Sequence, residues 1–310
     1  MTQRILQPGE IEALGPSAIP RIRLPERLTV FSDRAARLRR LADGHSIAGY
    51  LRLMAALVEA QHQVLADWQA PLPDSESLAR AQAESMPLVD ALTFERDRAW
   101  CDVLRALIDR VDACGALTPA LGKLFDALRA KGDAELEFSA DAVLAMRFEE
   151  IDPAEAPFVM ASLQVVWTGF AARLETRAVP YLDTPGLCPV CGSMPVASVV
   201  RIGGPYQGYR YLQCGLCATE WHMVRVKCSH CDSTKGIAYH AVEGGSLALK
   251  AESCDECRVY RKIGYQEKDV EIEPLADDLA SLTLDLLMSE AGYRRASPNP
   301  LLWPQSPAAA

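Results

Sequence analysis

From Ser32 onward, apolar residues recur at three- and four-residue steps, the spacing of helices that bury one face. Ser32 reads as the N-cap of a first helix entered through Asp33-Arg34-Ala35-Ala36, with Gly44 as its stop. Ile47, Tyr50, Leu51, Met54, Leu57, Val58, Leu65 and Trp68 make the most regular stripe, which ends at Pro71. Trp100, Val103, Leu104, Leu107, Ile108 and Val111 make another, ending before Gly115. Leu117 to Ala130 predicts a shorter helix with Pro119 near its start, and Ala140 to Phe148 a less regular one. Pro153 to Arg177 is apolar nearly all round, as the central helix of a bundle is. These stripes read as core rather than as cofactor sites. Ahead of them, residues 1–30 carry Pro8, Pro16, Pro20 and Pro25 and predict an extended segment. Leu275 to Ala291 predicts one final helix with Leu279, Leu282, Leu286 and Leu287 along one side and Gly292 as its stop. The tail beyond Ser297 reads as extended, with Leu301, Leu302 and Trp303 suited to a groove.

Between these helical regions the pattern shortens to strands and glycine turns. Val196 to Ile202 and Tyr209 to Leu212 flank Gly203-Gly204-Pro205, and Ile237 to Val242 and Leu247 to Ala251 flank Gly244-Gly245, which are hairpin signals. Thr219 to Val226 and Val259 to Ile263 would add a third strand to each. Eight of the ten cysteines fall here, as the pairs Cys188/Cys191, Cys214/Cys217, Cys228/Cys231 and Cys254/Cys257, while Cys101 and Cys114 lie in helical patterns. Each cysteine of the first two pairs recurs 40 positions later, as do Ser193 in Ser233, Ile202 in Val242, Gly204 in Gly244 and Arg210 in Lys250. A fixed period in both ligands and turns marks two copies of one structural unit.

Two residues between cysteines let a tight turn present both sulfurs to one ion, and four thiolates close a tetrahedron at about 2.3 Å from zinc. The 22 residues between the pairs of each copy are enough for the hairpin. Each copy therefore reads as a zinc-ribbon or rubredoxin-like module, too small to fold without its ion. Disulfides, unligated thiols and an iron–sulfur cluster are the competing readings of the same cysteines. Zinc and iron are not separated by the ligands, because a four-sulfur tetrahedron suits both. His222 and His230 flank cysteines, but each site already has four sulfurs, so both read as strand-surface or knuckle residues.

The chain has 310 residues and a net charge of −9, which argues against a dominant role on nucleic acid or an anionic membrane. Metallated four-thiolate sites would add about −2 each. Only residues 21–52 are locally basic, with eight arginines against three acids, as a solvated helix face can be. The opening residues carry no apolar run after a basic start, and Arg39-Arg40 lie too deep for a twin-arginine signal. Ala156 to Ala172, 17 uncharged residues, falls short of the ~20 that span a bilayer. A cytoplasmic protein without membrane insertion is the expectation. No phosphate loop, dinucleotide fingerprint or His-Glu-x-x-His occurs, and closed metal sites leave no place for substrate, which favours a binding or assembly protein over a hydrolase.

The run from Cys214 through Thr219-Glu-Trp-His-Met-Val-Arg-Val-Lys to Cys231 resembles the formate dehydrogenase accessory protein FdhE family. Cys188-Pro-Val-Cys191-Gly-Ser, Glu273-Pro-Leu-Ala-Asp-Asp-Leu-Ala, Asn299-Pro-Leu and the helical opening from Phe31 are similar too. The resemblance implies a cytoplasmic, non-catalytic maturation factor that binds the catalytic subunit of a respiratory formate dehydrogenase. It implies that the eight cysteines hold two metal ions, with iron preferred and zinc possible, and offers Thr219, Glu220, Trp221, His222 and Arg225 as a partner-binding motif. The expected architecture is an extended segment over 1–30, an all-helical bundle over 31–180 and two tandem four-cysteine ribbons, zinc-ribbon or rubredoxin-like, over 181–226 and 227–273. A C-terminal helix and extended tail over 274–310 complete it. A rubredoxin-like electron carrier and a nucleic-acid-binding zinc ribbon are the alternatives.

Overall fold

The computed structural model describes residues 19–69, 74–115 and 118–303; Pro8, Pro16, Pro71 and Leu117, on which expectations rested, lie outside them. The chain enters through a short strand, β1 (Ile22–Arg23), which pairs antiparallel with a strand of the first cysteine module. The described part of the opening segment is thus built into the sheet rather than simply extended. Helix α1 (Val30–Leu41) starts two residues before the expected cap. Ser32 lies in its first turn and donates back to the carbonyls of Leu28 and Thr29, the local bond that lets serine sit inside a helix.

Helix α2 (Ala48–Asp67) follows the regular stripe, and α3 (Ser75–Ala83), which the periodicity did not mark, is capped by Asp74 accepting from the Ser77 amide at 2.9 Å. Helix α4 is Ala99–Ala113. Helix α5 (Pro119–Ala130) is capped by Thr118. Helix α6 (Asp133–Leu144) begins well before the expected Ala140, because Glu135 accepts from the Gly132 amide at 2.9 Å and closes the first turn there. Helix α7 (Ala156–Ala171) is the expected central helix, shorter than Pro153 to Arg177 but buried at every position. It packs on α2, α4 and α6. Close packing depends on Gly169, where a Cβ would stand 2.7 Å from the Trp68 ring.

Strands β2 (Pro195–Val200), β3 (Arg210–Cys214) and β4 (Glu220–His222) form the first module. The second contains β5 (Ile237–His240), β6 (Leu249–Cys254) and β7 (Val259–Tyr265). Within each module neighbours are antiparallel, but β2 and β7 run parallel, with Ser198 opposite Ile263 and Val200 opposite Tyr265. The modules therefore share one sheet, in the order β1-β4-β3-β2-β7-β6-β5.

The final helix is broken into α8 (Pro274–Leu279) and α9 (Leu282–Glu290). Lys262 reaches up from β7 and donates to the carbonyls of Asp278 and Ser281 at 2.8 and 3.1 Å, taking acceptors a continuous helix would use. The Ser281 hydroxyl donates to the carbonyls of Asp277 and Asp278. The break turns α9, so Leu284 and Met288 face inward while Leu286 and Leu287 of the expected stripe are exposed. A two-residue strand β8 (Arg294–Arg295) then pairs with β7, and Leu301 and Trp303 are buried, with Trp303 against Phe148. Among the described residues no helix is long and apolar enough to cross a membrane.

Candidate metal centres

Each module gathers its four sulfurs to within 4.8 Å of one another. In the first, Cys188 and Cys217 stand 3.5 Å apart and Cys191 and Cys214 3.3 Å; in the second, Cys228–Cys257 is 3.8 Å and Cys231–Cys254 3.7 Å. A disulfide needs about 2.05 Å, and all ten cysteines are free. A tetrahedron of sulfurs about 2.3 Å from a metal has edges of about 3.8 Å. The residues present fit a four-coordinate soft ion at both sites.

The knuckles are built alike. In the first, the Gly192 amide donates to the Cys188 carbonyl and the Cys188 amide to that of Ser193 (2.8 and 3.0 Å); in the second, Asp232 and Cys228 repeat both bonds (3.0 and 2.8 Å). Gly192 and Asp232 both sit at positive φ, +73° and +65°, and Ala218 and Arg258, again 40 positions apart, share the left-handed region at +58° and +55°. Only the first of these four is glycine, so the knuckles hold three side-chain-bearing residues in a conformation they adopt at a cost. Amide hydrogens of Leu216 and Cys217 point at the Cys214 sulfur at 3.3 and 3.4 Å, and that of His230 at the Cys228 sulfur at 3.4 Å. Burial pushes the Cys188 and Cys217 thiols well up. Cys214, although burial opposes it, is brought well below the usual thiol range by hydrogen bonds from Cys188, Cys191 and Cys217. Four buried sulfurs do not ionise together unless a cation sits among them.

The two sites differ in surroundings. All four first-site cysteines belong to the same apolar cluster as the helices. Loop amides of Val89 and Ala91 donate to the carbonyls of Val190 and Cys191, Trp167 of α7 donates to the Val89 carbonyl, and Gln164 donates to Gly215 at 2.7 Å. In the second site Cys231 is exposed and Cys257 half-buried. The approach to the first knuckle packs on the second, since a Cβ on Gly186 would lie 2.4 Å from the Ser229 carbonyl oxygen.

Of the motif joining the modules, most residues face inward. The Thr219 hydroxyl accepts from the Cys217 sulfur at 3.2 Å, and Trp221 donates to the Pro185 carbonyl at 2.8 Å. Buried Glu220 pairs with Arg23 at 2.9 Å and with Arg201. His222 lies edge-on to Tyr209 and Tyr211, and burial followed by Arg210 lowers its pKa. Arg225 alone of the five is exposed, between the equally open Val224 and Val226. His230 is exposed beside the completed four-sulfur set.

Sequence reasoning missed the buried charges. Arg210 is wholly buried, pairs with Glu252 at 2.8 Å and donates to the carbonyls of Val224 and Lys227. Asp278 is fully buried against Lys262 and Arg295 and accepts from Asn299 at 2.7 Å. Arg261 is buried among neutral acceptors, and burial together with Arg210 pulls its pKa down to about 9. One signal was available: the separated stretches that carried the family resemblance meet here. Arg34 pairs with Glu273 at 3.0 Å, Arg37 with Asp277 at 2.5 Å, and Asn299 closes on Asp278.

A helical domain carrying two fused four-cysteine ribbons defines the class of protein. Residues 19–183 match the family described as FdhE, N-terminal; residues 187–225 match FdhE, central domain, and residues 226–302 FdhE, C-terminal domain. "Protein FdhE homolog" of Pectobacterium carotovorum subsp. carotovorum (strain PC1) is 42% identical, covering 99% of each chain. "Protein FdhE" of Escherichia coli (strain K12) is 41% identical over 96% of this chain and 95% of its own. The crystal structure of the FdhE protein from Pseudomonas aeruginosa aligns with a TM-score of 0.84 at 39% identity, covering 93% of this chain and all of that one. The chain belongs to the FdhE family.

Proposed function

We propose that this chain is a cytoplasmic, non-catalytic accessory protein that binds the catalytic subunit of a formate dehydrogenase during its maturation, and that it docks through the ribbons. Cys188, Cys191, Cys214 and Cys217 hold one metal ion and Cys228, Cys231, Cys254 and Cys257 a second; iron is the reading taken from the family, and zinc fits the same donors. The functional units are taken as 31–180, 181–226, 227–273 and the C-terminal segment 274–310. One observation carries ribbon docking: beside the second site the linker leaves Val224 and Val226 each 58% exposed, with Arg225 between them and Tyr239 open nearby. Exposed apolar side chains around a cation mark an interaction surface better than the buried Thr219, Glu220 and Trp221 do.

The test is co-purification of a formate dehydrogenase catalytic subunit with wild type, V226D and C228S/C231S. V226D changes only surface and is expected to weaken capture several-fold. Capture that survives both variants unchanged rules out docking through the second ribbon. The exposure of Cys231 favours a second reading, electron transfer through an iron site there. A reversible one-electron couple in anaerobically purified protein supports it, and native protein loaded only with zinc eliminates it.

A further inference from the structure

Arg261 lies on β7 with 5% of its surface exposed. Its Nε donates to the Ser229 hydroxyl at 3.0 Å, inside the Cys228–Cys231 knuckle, and its Nη1 donates to the Ser297 hydroxyl at 3.0 Å and to the Pro195 carbonyl. One guanidinium therefore ties together the second knuckle, the start of β2 just past the first knuckle, and the C-terminal tail. All of these acceptors are neutral. Among the described residues no carboxylate forms an ion pair with Arg261. Glu252 sits opposite it on β6, but that carboxylate is engaged by Arg210 at 2.8 Å. Two buried guanidiniums thus share one buried carboxylate, which leaves an excess positive charge in the interior.

A buried charge is costly unless something of opposite sign lies close by. Four thiolates around a divalent ion carry a net charge of about −2, and the second site offers that charge one side chain away. Both sites receive amide hydrogens, those of Leu216 and Cys217 on Cys214 and that of His230 on Cys228, but the first is otherwise lined by the Thr219 hydroxyl and apolar core. We infer that Arg261 is the counter-charge of the second four-sulfur site, a positioning residue that makes the more exposed site bind a divalent ion and fastens it to the first ribbon. This rests on the two-metal reading above. The role is specific to one site, so it separates from a general scaffolding function.

The experiment titrates metal-free, reduced full-length chain with cobalt(II), following thiolate-to-metal charge transfer, and then measures transfer of the ions to a chromophoric chelator. Wild type is expected to take up two ions. R261M keeps the side-chain bulk and removes the charge; it is expected to hold one ion as wild type does and the other at least about tenfold more weakly. R261K, which restores the charge but not the fork, is expected to recover most of that loss. R261M that holds both ions as tightly as wild type overturns the proposal, and so does R261M that weakens both equally. If R261M does not fold, R261K decides: retention of the second ion supports the counter-charge role, and loss of it refutes that role. Wild type that binds fewer than two ions removes the two-metal reading itself, a result distinct from failure of Arg261 alone.

Discussion

Asp278 concentrates the electrostatics of this protein in one carboxylate. It is fully buried, 2.7 Å from Asn299 Nδ2, and flanked by Lys262 and Arg295. Burial alone would raise its pKa; Arg295 and Lys262 outweigh burial and hold it below the usual carboxylate range. Asp278→Asn keeps the shape but leaves buried Lys262 and half-buried Arg295 with Asp285 as their one shared carboxylate, an expected loss of about 1–3 kcal/mol in denaturant unfolding at pH 7. A folded pKa below the unfolded one means this stabilisation is complete above the unfolded value of about 3.9 and disappears as pH falls through the lower folded value. The gap between wild type and Asp278→Asn should therefore be constant from neutral pH to about 5 and close below about 4. A gap that widens on acidification would contradict the assignment. Acid also strips thiolate sites, so only the difference between the two proteins reports on Asp278. The cysteines announce themselves through fixed local spacing, whereas Lys262 and Arg295 are set by contacts between separate elements and look like any surface residue. Asp278 was marked only as part of a stretch carrying the family resemblance, which said nothing of its burial or its cationic partners.

Among the elements, the C-terminal helix marks where periodicity stops being informative. Leu279, Leu282, Leu286 and Leu287 make a plausible stripe only if the helix is continuous, and Lys262 interrupts it at Ser281 from a different strand. The turn at the break hands the buried side to Leu284 and Met288, which pack with Ala251 and Tyr260 of the second module. Leu284→Ala should cost about 2–5 kcal/mol, as large-to-small changes in a core do. Leu286→Ala, at a side chain 67% exposed, should stay within about 0.5 kcal/mol. Equal effects at the two positions would restore the uninterrupted helix. The long helices are legible in kind because α2 and α4 bury wide faces at helical period and α7 is an uncharged, mostly apolar run long enough for a buried helix. Their ends shift where a cap that the apolar pattern does not register decides the first turn, as Glu135 on Gly132 does for α6.

At the scale of the whole molecule, the two copies of one unit stand in different surroundings. The 40-residue repeat and the grouping of eight cysteines were readable from the sequence, but the parallel joint of β2 and β7 was not, since strand order across repeats leaves no local trace. That joint places the first site against the helices and the second at the margin. The first four sulfurs lie in the same apolar cluster as α7, and Gln164 and Trp167 of that helix bond to Gly215 and to the loop held by Cys191. The second set opens to solvent at Cys231. A chelator reaches an ion only through exposed ligands or local opening, so release should be biphasic, the first equivalent leaving from the second site and the other following slowly. C228S/C231S should abolish the fast phase and leave the helical domain's thermal transition nearly in place. C188S/C191S introduces hydroxyls into a packed core and would remove the ion proposed at its centre, and should lower that transition markedly, read by far-ultraviolet circular dichroism. Loss of helical stability in both variants alike would mean that the ribbons support the bundle as a single block, and that the asymmetry in burial has no energetic counterpart.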